Sequence, residues 1–149
     1  MTSLVIYADV TTGNTTSLLQ QAVDKLSNKN ETEKAIEILQ HMVEKDPSSG
    51  EAYYYLGLAN VSKRQWKKAE EYLKLATVYF PDEAAAKYQL GKIYLNEMAQ
   101  TEKAIPLLLY VVQQNPNYED TRLLLSKAYL QTNNVKEVID LLQPLTKKN

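Results

Sequence analysis

Few residues in this chain of 149 are placed to do covalent chemistry. There is no cysteine, which removes disulfides, thiolate metal sites and thiol nucleophiles. The one histidine, His41, has no second histidine or thiolate to complete a metal site and reads as a solvated helix residue. The four glycines are isolated, so no phosphate-cradling loop exists. Serines and threonines lack a histidine base nearby, and carboxylates such as Glu70 and Glu71 are spread over helix surfaces. No catalytic residues, no metal and no cofactor are expected. What remains is aromatic and apolar surface. Residues 51–59 read EAYYYLGLA, with three tyrosines side by side. On a helix, neighbours turn about 100° apart, so the three rings must do at least two different jobs.

Composition narrows the classes further. Apolar residues make up 44% and charged residues 23%, the balance of a folded soluble domain rather than a disordered chain. A net charge of −1 gives no field to draw in nucleic acid. No stretch approaches the roughly 20 apolar residues that span a bilayer. The start, MTSLVIYADVTTGNTT, has no basic region before its apolar run, and Asp9 breaks that run. No secretory signal is read there, and a cytoplasmic location is the default. Asn14, Asn30 and Asn60 each open an Asn-X-Ser/Thr triplet; without a signal sequence these are treated as chance matches. The basic stretch from Lys63 to Lys68 surrounds a turn and reads as a solvated rim.

Long 3.6-residue periodicities from Ser17 onward predict an all-helical chain. Pro47, Pro81 and Pro116 each close a helix-like run, and they recur at nearly constant spacing. Leu56-Gly57 returns as Leu90-Gly91 and Leu125-Ser126; Ala35, Ala69, Ala104 and Val138 form a second series. A fixed period of this length means stacked supersecondary units that bury their apolar faces on one another.

These residues resemble the tetratricopeptide repeat, a 34-residue helix–turn–helix unit. In Glu51 to Pro81, Tyr53 takes the large-aromatic place, Leu56-Gly57 the Leu-Gly place, and Ala69, Leu73, Ala76 and Pro81 complete the second helix and its stop. The frames are 16–49, 50–83, 84–118 and 119–149, with residues 1–15 an extension outside the repeats. The resemblance implies an all-α fold, a right-handed α–α superhelix. Small residues at Gly57, Gly91, Ser126, Ala69, Ala104 and Ala76 are expected to let helices approach closely. Tyr53, Leu56, Leu73, Tyr94, Leu108, Tyr129 and Leu142 are expected to fill the space between them. Trp66 lies where the family covers the helix junction. Pro106 is placed near the start of its helix, where a lost amide costs least.

In that family the first helix of each repeat turns one face to the concave side. Carried through the frames, this face is polar in the first repeat (Ser17, Gln20, Asp24, Ser27). It then runs through Glu51, Tyr54, Leu58 and Val61; Ala85, Tyr88, Lys92 and Leu95; and Asp120, Leu123, Lys127 and Leu130. The partner-binding residues expected are Tyr54, Leu58, Tyr88, Lys92, Leu95, Leu123, Lys127 and Leu130. Tyr54, Tyr88 and Leu123 would be anchors, with the two lysines meeting acidic groups of a bound protein segment. Tyr53 is assigned to the core, and Tyr55 is left between the two faces. The lysine-rich clamp by which some members hold acidic chaperone tails has no cationic counterpart here. The function implied is a non-enzymatic protein–protein interaction module that takes a peptide or helix in its groove. Packing alone also explains such tyrosines. Two other readings stand beside it: an assembly subunit or homodimer joined through uncapped ends (Val5, Leu141, Leu142, Leu145), and a small secretion-type chaperone.

Overall fold

Each proline that closes a periodic run follows a helix by two residues. In the computed structural model, which describes the backbone of residues 15–146 and the side chains of residues 18–143, Pro47, Pro81 and Pro116 follow helices ending at Lys45, Tyr79 and Gln114. The residue between helix and proline uses its amide to close the last turn. Asp46, Phe80 and Asn115 donate to the carbonyls of Met42, Ala76 and Val111. The expectations for residues 1–14, Val5 included, lie outside the described residues, as does the Leu145 side chain.

The described chain is all-α, with no strand among the described residues. Helix α1 (Thr15–Leu26) leads through a short 3-10 turn to α2 (Thr32–Lys45), followed by α3 (Gly50–Ser62) and α4 (Trp66–Tyr79). Then come α5 (Ala84–Asn96), α6 (Thr101–Gln114), α7 (Thr121–Gln131) and α8 (Val135–Thr146). The turns inside three helix pairs share one device. Arg64, Ala99 and Asn133 take left-handed φ of 57°, 51° and 61°. The next residue then sends its amide back to a carbonyl near the end of the first helix: Gln65 to Asn60, Gln100 to Tyr94, Asn134 to Tyr129. This satisfies carbonyls that a helix end leaves orphaned.

The helices form two compact units, divided between Pro81 and Asp82. In the first, α1 packs on α2, α2 on α3 and α3 on α4. Leu18, Ala22, Ile36, Ile38, Leu39, Ala52, Leu56 and Ala59 form its core. In the second, α5 packs on α6, α6 on α7 and α7 on α8, and α7 also touches α5. Leu90, Ile93, Tyr94, Leu108, Val111, Leu125 and Ala128 are buried there. Each fully buried leucine contributes about 1.5–3 kcal/mol through lost apolar hydration.

The small residues act as the repeat pattern predicts. A Cβ on Gly57 would stand 2.6 Å from Leu73, and one on Gly91 2.9 Å from Leu108, closer than real Cβ contacts come. Glycine at these two places is what allows α3 to meet α4 and α5 to meet α6. Asn60, where the family pattern has tyrosine, is buried and donates to the Leu56 carbonyl at 2.7 Å, so its amide is satisfied within its own helix.

Four expectations are corrected. Tyr53 is only half-buried: its ring stacks on Tyr72 and Tyr79, and its hydroxyl donates to the Pro47 carbonyl. His41 is not solvated; its side chain is 16% exposed, with Nδ1 3.7 Å from the Glu44 carboxylate. Pro106 lies inside α6 beyond the first-turn amides, so it removes a bond the Glu102 carbonyl would otherwise accept. Leu142 is 40% exposed rather than core, because no described helix lies over that side of α8. Trp66 opens α4 half-buried, a packing position.

Candidate partner-binding surface

In the first unit the expected residues fall on α3. Its start is held by Ser49, whose hydroxyl accepts from the Ala52 amide. The three tyrosines then separate by angle. Tyr53 turns to α4, while Tyr54 and Tyr55 meet edge to face at 5.2 Å between centroids. Tyr55, Leu58 and Ser62 of α3, with Val23, Leu26 and Ser27 beside them, enclose a cleft of about 290 Å³. The two serines donate to carbonyls of their own helix turn, Ser62 to Ala59 and Ser27 to Val23, so the cleft presents mostly carbon. Tyr55 was left unassigned by the repeat pattern. Its i, i+3, i+7 relation to Leu58 and Ser62 is the signal that places it here. At the polar end of the same unit, Gln20 donates to Asp24 at 2.8 Å.

The second unit departs from the expectation. Tyr88 and Leu95 are 5% and 4% exposed, so neither is a surface contact. The reason is physical: α7 lies against both α5 and α6 and covers the face on which Tyr88 sits. The Tyr88 hydroxyl donates to the Asp120 carboxylate, and its ring meets Tyr118 edge to face at 5.4 Å. Burial, and then the Asp120 acceptor, push the Tyr88 hydroxyl well above the usual tyrosine range. Lys92 is exposed and rests its ammonium 5.6 Å from the Tyr88 ring centroid. Lys127 is exposed and donates to the Asn96 side chain at 2.7 Å. Leu123 and Leu130 are 70% and 57% exposed. They form one wall of a cleft of about 590 Å³, opposite Val138 and Leu142, with Ser126 among its lining. The repeat pattern assigns Leu142 to the core and gives Val138 only as a member of a recurring series, and only a view of which faces are covered places them at a surface.

The eight expected residues therefore do not act as one set. Leu58 lines the first cleft with Tyr54 beside it, Leu123 and Leu130 line the second, Lys92 and Lys127 are exposed cations, and Tyr88 and Leu95 are buried. Among the described residues no cluster of His, Cys, Asp or Glu is arranged to hold a metal. No described helix is long and apolar enough to cross a membrane.

Paired helices with small residues at the crossings and apolar clefts at the surface define an interaction scaffold of the helical-repeat class. The tetratricopeptide repeat profile matches residues 26–93 and 95–149, and the chain belongs to that family, whose fold is the right-handed α–α superhelix and whose repeats serve as protein-binding scaffolds. Among solved structures it is similar to YrrB, described as a TPR protein with an unusual peptide-binding site. The TM-score is 0.78 at 24% identity, over 89% of this chain and 67% of YrrB. It is also similar to MamA, with a TM-score of 0.78 at 27% identity, over 95% of this chain and 80% of MamA. A MamA chain from Desulfovibrio magneticus RS-1 aligns with a TM-score of 0.71 at 22% identity, over 87% of this chain and 72% of its own. No curated protein matches.

Proposed function

We propose that this protein is a non-enzymatic interaction module that captures a peptide or helix of a partner protein on the first helices of its repeats. The repeat domain in this reading is 16–149, framed as 16–49, 50–83, 84–118 and 119–149. The carrying observation is the carbon-lined cleft between α1 and α3, bounded by Val23, Leu26, Tyr55 and Leu58, with Tyr54 beside it. At about 290 Å³ it falls at or below the roughly 300–1,000 Å³ of small-molecule sites, a scale suited to one or two anchoring side chains. Half-exposed aromatics are the residues that most often anchor such contacts. In the second unit Lys92 and Lys127 are exposed cations that would meet an acidic segment running along the first helices of that unit. The likeness to a protein described as having a peptide-binding site supports this reading.

The test is a lysate capture with wild type beside a Tyr54→Ala/Leu58→Asp variant, with circular dichroism showing both equally helical. Loss of a captured protein with the variant is the expected result. Capture unchanged by the variant overturns the assignment of this cleft.

A further inference from the structure

We infer that the cleft between α1 and α3 takes a protein segment of defined chemistry: an apolar anchor side chain in the cleft, joined to a run of acidic residues that crosses the adjoining turns over Lys29, Arg64, Lys67 and Lys68. This rests on the capture reading above and names the class of segment captured in the first unit.

The first argument is position. Ser27 and Ser62 line the cleft where α1 and α3 end. Lys29 lies two residues beyond Ser27 and Arg64 two beyond Ser62, so each backbone is within about 7 Å of a lining residue. The Lys63–Glu33 ion pair joins the turn after α3 to the first turn of α2. A segment leaving the cleft at its serine end passes directly onto these cations.

The second argument is the charge left over. Glu31 is held by Lys25 at 3.4 Å and by Lys34 at 3.3 Å, and Glu33 is held by Lys63. Lys29, Arg64, Lys67 and Lys68 are exposed, and none of them pairs with a carboxylate among the described residues. Against these four stands Asp24, a turn back on α1, whose carboxylate accepts from Gln20 rather than from a cation. This end of the cleft is strongly positive in a chain whose net charge is −1. An acidic occupant supplies what the local acids do not.

The fold itself does not call for these charges. Lys25 and Lys63 sit at the ends of α1 and α3, where a helix dipole favours cations. Lys67 and Lys68 sit in the first turn of α4, where the dipole disfavours them. That turn has no acidic residue, and Gln65 before it supplies no side-chain cap.

The cleft then selects among anions. It measures about 290 Å³ and is lined by Val23, Leu26, Tyr55 and Leu58, so it suits an apolar side chain. A nucleic-acid strand offers phosphates but no such side chain. A peptide carries both.

Selection from a random dodecapeptide display library on the immobilised full chain tests both parts together. Enriched peptides should join a leucine, isoleucine, methionine or phenylalanine to a run of aspartates and glutamates. On Arg64→Gln/Lys67→Glu/Lys68→Glu the acidic run should vanish while the apolar residue stays. On Tyr54→Ala/Leu58→Asp the apolar residue should vanish. The triple variant places acids in the first turn of α4, so it should melt no lower than wild type, which separates lost binding from lost folding. Wild type should bind a synthesised winner about tenfold tighter than the same peptide with its carboxylates made amides. That difference should shrink as salt rises from about 50 to about 500 mM. Enrichment of the apolar residue alone overturns the inference and leaves the capture reading standing. Acidic runs without an apolar residue also overturn it, by detaching the cations from the cleft. Enrichment no different from that on Tyr54→Ala/Leu58→Asp overturns both readings. Single-stranded DNA that displaces the selected peptide at equal concentration overturns the choice of a protein segment as occupant.

Discussion

Gly57 stands in a contact that admits no side chain. A Cβ there would sit 2.6 Å from Leu73, itself 0% exposed and walled in. Gly57→Ala gains about 1 kcal/mol of helix propensity but meets overpacking of about 1–3 kcal/mol. We expect a net loss, read as a lower urea midpoint, and a smaller loss for Gly91→Ala, whose clash with Leu108 is at 2.9 Å. Tyr88 makes a different prediction. Its hydroxyl titrates above the unfolded value of 10.0, as do those of Tyr53, Tyr118 and Tyr129, burial being the first cause in each. Below pH 10 both folded and unfolded tyrosines keep their protons, so the stabilisation is intact. As pH rises above that value the unfolded chain loses protons first, and folding weakens. Stability should therefore fall above about pH 10, and Tyr88→Phe should make that fall shallower. An unchanged slope would remove Tyr88 from the account.

Helix pairs that repeat allow one element to serve as the control for another. Leu108 and Leu142 occupy the same place in successive second helices, yet one is fully buried and the other 40% exposed. Leu108→Ala should cost about 2–5 kcal/mol through the cavity it leaves. Leu142→Ala in the dilute chain should cost well under half as much. Between elements, Ala99 holds a left-handed φ of 51°, a conformation that costs an L-residue about 1–2 kcal/mol. Glycine there relieves the strain at an entropic cost of about 0.5–1 kcal/mol, so Ala99→Gly should raise the thermal midpoint slightly. Helix stops were legible in the sequence because Pro47, Pro81 and Pro116 act within a few residues of themselves. The Gly57 and Gly91 crossings were legible because the period brings them round on schedule. Tyr88 was misread for the opposite reason: its burial depends on α7 and on Asp120, more than thirty residues away. Pro106 was placed by its distance from a helix start that the sequence locates only within a turn.

At the scale of the molecule, burial is unevenly shared. From residue 135 to 143, α8 buries no side chain, whereas α6 buries Ala104, Leu108, Val111 and Val112. Local opening follows buried contacts. In dilute solution the α8 amides should exchange with solvent faster than those of α6, and equal protection of the two helices would contradict this ordering. The family and the helix pairing were readable from periodicity, because every repeat makes the same demand on the same positions. Which faces end up wet was not, because exposure is a property of neighbours. The position of Trp66 has an optical consequence. It is the sole tryptophan of the chain and opens α4 in the first of the two compact units. Its emission tracks the surroundings of that unit, while far-ultraviolet dichroism sums the helices of both. The unlabelled chain thus carries its own two-channel readout, one colour local and one global, for watching where unfolding begins.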